Sequence, residues 1–353
     1  MISAEKMAAP TNLKELIVEK SEQLGFILAG VTTPEPPANY AVFEHWLAQG
    51  RHGNMDYLAA ERSRVRRADP LEILPECKSI LVLATPYNPP SPETQALTGR
   101  VSAYARGEDY HSVLPGRMAE LVRFIEEQVG SSIKNRWYTD TGPILERELA
   151  QRAGLGWIGK NSCLIHPQHG SYFFLSEILL DLELAPDPSL DTDHCGTCTR
   201  CLVACPTQCI LPDRTLDATR CISYLTIELK EDIPLELRDQ IGEWVFGCDI
   251  CQMVCPWNRF APEGDPALTN EEPLPTLTDE LTLTPQAFNQ RFKRTPVSRA
   301  KRRGYLRNVA VALGNAGDAL ALPILQNALN DDEPLVREHA QWAIEKIKRT
   351  TYD

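Results

Sequence analysis

The chain has 353 residues, an apolar fraction of 43% and a formal net charge of -12 at pH 7. Its length supports about two or three domains with ordinary buried cores. Its negative balance disfavours a generic lysine-coated nucleic-acid binder, and the absence of a long apolar run or a basic-then-apolar leader makes a soluble cytoplasmic protein the expectation.

The pattern opens with a helix that Thr11 can cap and whose apolar side is Leu13, Leu16, Ile17 and Leu24, followed by a buried strand over Phe26 to Val31. Ser79 to Ala84 (SILVLA) predicts a second strand, closed by TPYNPPSP, and Met118, Leu121, Val122, Ile125 and Val129 fall at helical spacing. Asp140-Thr141-Gly142-Pro143 predicts the start of another helix, with Pro143 at its first position and Gly154 at its end. Residues 1–185 therefore read as a mixed α/β (α+β) domain. Residues 177–193 are acidic and loop-like, a cysteine module occupies 186–260, and the proline- and threonine-rich stretch from Pro256 to Pro285 reads as a wrap or linker. Within 261–353, Leu306 to Asn315, Ala319 to Leu329 and Pro334 to Ile347 read as helices that resemble a HEAT-type repeat. With only about one and a half such units, they must pack on the rest of the protein.

Cys195-x2-Cys198-x2-Cys201-x3-Cys205-Pro206 matches the bacterial ferredoxin run, in which three close thiolates hold one 4Fe-4S cluster and the fourth reaches another. Cys248-x2-Cys251-x3-Cys255-Pro256 is one ligand short, and Cys221 is the natural substitute. The crossover assigns Cys195, Cys198, Cys201 and Cys255 to one cluster and Cys205, Cys221, Cys248 and Cys251 to the other. A pair of zinc sites would not need the repeated third and fourth cysteines with Cys-Pro endings. Cys77, Cys163 and Cys209 read as small buried residues.

Two clusters in one chain imply a one-electron relay to an acceptor, yet no dinucleotide-binding or P-loop fingerprint occurs. Asp109-Tyr110-His111 begins like the D-x-H-x-x-G cobalamin motif, but Leu114 stands at the glycine position, which argues against His111 as a cobalt ligand. Between Arg291 and Arg307 stand eight basic residues and no acid, a local positive field on an acidic protein.

Taken in order, Arg67-x-Asp-Pro70, Tyr104-Ala-Arg-Gly-x-Asp109-Tyr110-His111, Asp140-Thr141-Gly142, Ala153-Gly-x-Gly-Trp-x-Gly-Lys160-Asn161, Gly170-Ser171-Tyr172, both cysteine sets, Arg220-Cys221-Ile-Ser223-Tyr-Leu-Thr226 and Leu306-Arg307-Asn308 resemble the epoxyqueuosine reductases over nearly the whole chain. The resemblance implies a cobalamin-dependent oxidoreductase that converts epoxyqueuosine to queuosine at the wobble position of tRNA, the last step of queuosine biosynthesis. It implies base-off cobalamin, Asp140 as the proton donor, and Arg67, Leu164, Leu175 and Ser223 as cobalamin neighbours, with Lys160 and Asn161 as further cofactor contacts. It also implies a grip on the anticodon arm by Lys293, Arg294, Arg299, Lys301, Arg302, Arg303, Arg307 and Asn308. The N-terminus of the predicted helix beside Asp140 would favour the ionised carboxylate, so burial at the corrin face would have to favour the acid. An external low-potential electron donor is required, and a monomer is expected because one chain holds every part. The rival readings are a reductive dehalogenase-like enzyme, which has no use for the basic C-terminal segment, and a non-catalytic iron-sulfur carrier or tRNA-binding protein.

Overall fold

The run Ser79–Pro86 is apolar at most positions and buried at all of them, as a strand covered on both faces requires. In the computed structural model, which describes residues 12–89, 97–269 and 274–352, it lies inside a four-stranded antiparallel sheet. The strands are β1 (Leu28–Thr32), β2 (Ser79–Pro86), β3 (Asn135–Tyr138) and β4 (Phe173–Leu180), in the order β1-β2-β4-β3. The register sets Val82 opposite Glu177 and Ala84 opposite Leu175. Alternation then sends Ile80, Val82, Ala84, Phe173 and Leu179 into one core and Leu81, Leu83, Phe174, Ile178 and Leu180 into another.

Helices α1 (Leu13–Gln23) and α2 (Tyr110–Val129) cover the second face through Leu13, Ile17, Leu114, Met118, Leu121 and Ile125. The first face takes Leu149 and Ala150 of α3 (Glu146–Arg152). At Gly30 a Cβ would collide with the Ala153 carbonyl, so only glycine lets β1 approach the end of α3 this closely.

Two expectations are corrected here. Asp140-Thr141-Gly142-Pro143 does not open a helix: α3 begins at Glu146, and Asp140 stands in the preceding loop with φ +60°, a backbone conformation incompatible with helix entry. Gly154, at φ +79°, does follow the helix end. Residues 177–180 are not loop but the buried end of β4, because they pair with β2 and β3 on either side. The Thr11 cap, and Pro90 and Pro92 of the TPYNPPSP closure, lie outside the described residues.

The cysteine module is tied to both flanks. Arg100–Val101 pairs in parallel with Trp244–Phe246, and Trp46 Nε1 donates to the Leu216 carbonyl at 2.7 Å. The C-terminal segment contributes α4 (Lys301–Ala316), α5 (Leu322–Ala328) and α6 (Pro334–Tyr352), with Leu306, Val309, Ala310 and Leu313 sharing a core with Val336, Ala340, Ala343 and Ile347.

Two residues assigned to RNA instead hold α4 against the cysteine module. Arg307 and Asn308 are both 0% exposed. The Arg307 guanidinium donates to the carbonyls of Leu225, Leu229 and Glu231, and Asn308 Nδ2 donates to those of Thr226 at 2.8 Å and Val245 at 2.9 Å. A run of cations does not reveal which member turns inward; the buried positions of α4 do. Asn308→Ala strands two buried carbonyls and should cost about 3 kcal/mol, whereas Arg303→Ala on the exposed side of α4 should change stability by less than about 0.5 kcal/mol. Chemical denaturation of the two variants checks this.

Candidate functional site

Short loops around short helices bring the cysteines together as their spacing anticipates. Cys195, Cys198, Cys201 and Cys255 line one cavity of about 290 Å³. Trp157 Nε1 donates to Cys195 Sγ at 3.5 Å, and Lys160 Nζ donates to the carbonyls of Gly196 and Cys198 at 2.7 and 2.9 Å. Lys160 is therefore a clamp on this cysteine loop and not a free cofactor contact. Asn161 lines the same cavity with its Nδ2 buried and unpartnered.

Cys205, Cys221, Cys248 and Cys251 form the second group. Burial pushes the Cys248 thiol up, and the neighbouring Cys221 and Cys205 charges push it further. The sequence reading treated Cys163 and Cys209 as small buried residues apart from the ligands, yet Cys209 Sγ lies 3.5 Å from Cys205 Sγ and Cys163 hydrogen-bonds Cys251. Their signal was nearness to the run, visible for Cys209 and hidden for Cys163. Cys77 sits in the sheet core, where burial raises its thiol to about 11. The donor chemistry fits four-iron clusters: each group offers four sulfurs, and crowded thiolates call for a compensating cationic centre.

Asp140 is the other focus. Its side chain is 61% exposed, its Oδ2 accepts from the Tyr110 hydroxyl at 2.5 Å, and His111 Nε2 lies 3.8 Å away. Tyr110 is fixed by stacking on Phe174, with ring centroids 4.1 Å apart. Burial, followed by the Asp140 charge, holds the phenol well above its ordinary range, so it stays a donor. His111 Nδ1 is 2.9 Å from Asp109 Oδ1, which makes His111 a hydrogen-bonded residue as its broken motif indicated. Arg299 lies over the Tyr110 ring at 5.5 Å and against His111 and Asp109. The structure thus moves Arg299 from the RNA group to the surroundings of Asp140.

Behind Asp140 lie two carboxyls that the sequence reading missed. Glu146 accepts from the Asp140 backbone N–H at 2.7 Å, and burial together with the Asp140 charge pushes it up to about 8. Glu177 is fully buried with both oxygens unpartnered, and burial, then the Glu146 charge, raises it well above the carboxylate range. An acid inside the apolar strand FFLSEILL was the available signal.

The remaining cofactor candidates border these groups. Leu164 is buried in the β2/β4 core, Leu175 packs against it, and Ser223 follows Cys221 by two residues at the start of a short helix. Arg67 is buried over the Phe43 ring, with its guanidinium donating to Ser63 and to the Gly142 carbonyl, one loop turn from Asp140. Thr85 Oγ1, Ser176 Oγ and the Glu177 oxygens are buried polar atoms without partners on β2 and β4. Of the basic segment, Arg302 forms a two-pronged ion pair with Asp331, while Lys293, Arg294, Lys301 and Arg303 are exposed and pair with no carboxylate among the described residues. The Arg294 carbonyl accepts from the Asp109 N–H at 2.8 Å, which seats this segment beside Asp140.

The raised Glu146 carboxyl has a thermodynamic sign. Between pH 4.5 and about 8 the folded chain holds a proton that the unfolded chain has released, so stability falls as pH rises through that window. Glu146→Gln keeps an oxygen for the Asp140 N–H and should flatten part of that fall, with its gain over wild type larger at pH 8 than at pH 5. Melting temperatures across the range check this.

Comparison with known proteins agrees with this geometry. Residues 194–258 match the family model "4Fe-4S double cluster binding domain", and residues 67–141 match "Epoxyqueuosine reductase QueG, DUF1730". The chain is 40% identical to an epoxyqueuosine reductase of Pseudomonas aeruginosa over 97% of its own length and 96% of the relative's, and 41% identical to one of Xanthomonas campestris over 95% and 96%. It superposes with a TM-score of 0.87 on an epoxyqueuosine reductase with an epoxyqueuosine-modified tRNA-Tyr stem loop, at 32% identity over 97% and 92% of the two chains. A Bacillus subtilis epoxyqueuosine reductase, described with its aspartate catalytic loop swung out of the active site, superposes at 0.83, with 32% identity over 95% and 90%. Near-complete coverage at such identity, on a chain whose cysteines and loop aspartate stand as described, means that this protein belongs to the epoxyqueuosine reductase family.

Proposed function

We propose that this chain reduces epoxyqueuosine to queuosine at the wobble position of tRNA, with Asp140 as the acid. The observation that carries the reading is an open loop aspartate at φ +60°, held by Tyr110, on a chain that also gathers Cys195, Cys198, Cys201 and Cys255 around one cavity and Cys205, Cys221, Cys248 and Cys251 near one another. A strained loop at a reacting group is where such backbone geometry concentrates. The solved relative with a modified stem loop, and the other with a mobile aspartate loop, support the same assignment.

Removing an epoxide oxygen as water takes two electrons and two protons. Bound cobalamin would supply a strong cobalt reductant and the two clusters the single electrons that recharge it. Arg67, Asn161, Leu164, Leu175 and Ser223 would hold cobalamin, and the orphaned Thr85, Ser176 and Glu177 polar atoms suit a ligand rimmed with amides that both donate and accept. Asp140 gives its proton to the epoxide oxygen. Tyr110 fixes its carboxyl by a hydrogen bond, with His111 beside it at 3.8 Å and Arg299 against His111.

Lys293, Arg294, Lys301 and Arg303 neutralise anticodon-arm phosphates next to Asp140, on a HEAT-like helical unit. In functional terms residues 1–185 carry the cofactor and acid, 186–260 the electrons and 261–353 the RNA. The setting is cytoplasmic and the working unit a monomer; no helix among the described residues is long and apolar enough to cross a membrane.

Anaerobically purified protein should contain about eight irons, and Cys255→Ala and Cys248→Ala should each lose about half of them, while Cys77→Ala loses none. Iron analysis decides. Asp140→Asn should keep the iron and lower conversion of epoxyqueuosine-containing tRNA by about 100-fold or more, read by mass analysis of the nucleosides. Undiminished conversion would remove Asp140 from the acid role.

A further inference from the structure

Large apolar side chains seldom stand in the open beside one another without a partner. Val203 is 82% exposed, and Met253 and Phe260 are also exposed. Val203 lies on the short helix Arg200–Ala204, between Cys201 and Cys205, and Met253 on Ile250–Met253, between Cys251 and Cys255. The spacing that wraps the cysteines forces both outward, because the neighbouring cysteines turn in. Between the two helices runs an open groove of about 930 Å³ with Val203, Ala204, Met253 and Val254 in its lining.

This groove shares a wall with the first cysteine cavity: Arg200, Cys255, Pro256 and Arg259 line both. Anything seated in the groove is thus one residue from a cluster ligand. Arg200 and Arg259 are exposed, and neither pairs with a carboxylate among the described residues; Arg259 lies over the Phe260 ring at 4.5 Å. On a chain of net charge -12, an apolar strip flanked by two uncompensated guanidiniums fits a partner with an apolar contact ringed by carboxylates.

We propose that the groove between Arg200–Ala204 and Ile250–Met253 docks a small acidic one-electron carrier protein and is the electron entry of the enzyme. This rests on the reductase reading above and adds the partner's class and its face. Each encounter oxidises the carrier by one electron and delivers that electron at the Cys255 side of the first group. Two encounters, with two protons taken up, match one epoxide oxygen released as water. The first group is the one whose cavity shares a wall with the groove, so it receives each electron before the second.

The test uses the full chain reconstituted with iron, sulfide and cobalamin, a reduced flavodoxin as the acidic carrier, and reduced methyl viologen as a small reductant that needs no docking face. Stopped-flow bleaching of the iron-sulfur absorbance is the readout. Val203→Asp and Arg259→Glu should each slow bleaching by flavodoxin about tenfold or more, leave bleaching by methyl viologen and tRNA affinity unchanged, and weaken the dependence of the flavodoxin rate on salt. Unchanged flavodoxin rates in both variants overturn the proposal. So does a loss of tRNA affinity with flavodoxin rates intact, which would make this an RNA surface. Should Val203→Asp lose iron, Arg259→Glu decides alone. Wild type that bleaches with flavodoxin but leaves epoxyqueuosine unconverted would remove the tRNA reading and leave the docking face standing.

Discussion

Sulfurs drawn this close together cannot all ionise in apolar surroundings unless positive charge sits among them. Burial and neighbouring charge push Cys248 up, and a hydrogen bond from Cys209 draws Cys205 down to about 5. A cationic core resolves the conflict for every sulfur at once. The rest of the molecule is arranged around that requirement. Arg100–Val101 reaches in from the sheet domain to pair with Trp244–Phe246, and Arg307 and Asn308 reach in from α4 to cap free carbonyls of the Ile222–Glu231 stretch. The module's own apolar core, which includes Ile222, Leu225, Ile233, Leu237, Ile241 and Trp244, is continued by Val311 of α4.

The Asp140 loop gathers carboxyls in a different way. Asp140 itself stands in a left-handed loop ahead of α3. Glu146 and Glu177 behind it add carboxyls that themselves resist ionising, while Tyr110 supplies a hydrogen bond that aims the group. The cation nearest to hand, Arg299, is engaged with His111 and the Asp109 carboxylate.

Legibility in the sequence followed locality. The strand Ser79–Pro86, the helix through Met118 and Ile125, and both cysteine groups could be read because their determinants lie within a few residues of one another. The loop at Asp140 could not, since Pro143 and Gly154 mimic helix punctuation while tertiary contacts to Tyr110 and Glu146 set the backbone. The same holds for Arg307 and Asn308. Their partners, Leu225 to Val245, lie more than sixty residues upstream, and a cation in a basic run carries no local mark of burial. Glu177 was the reverse case: its residue type, inside an apolar strand, announced a buried acid, but the acidic residues that follow it drew the segment toward a loop reading.

Net charge and function are reconciled by geometry. A chain at -12 repels a polyanion and an acidic protein alike at long range, so either can approach only where the sign reverses locally. Among the described residues, two such places lie on different parts of the fold. One is the exposed Lys293, Arg294, Lys301 and Arg303, joined to the Asp109–His111 turn beside the acid; the other is Arg200 and Arg259, on the wall of the first cysteine cavity. Repulsion elsewhere makes each encounter orientation-selective, because a misaligned partner meets carboxylates before it meets apolar contact. The proposed separate addresses for RNA and electrons would also allow a substrate to stay bound while the two electrons arrive in sequence. That is what a two-electron reduction fed by one-electron encounters demands of a single chain.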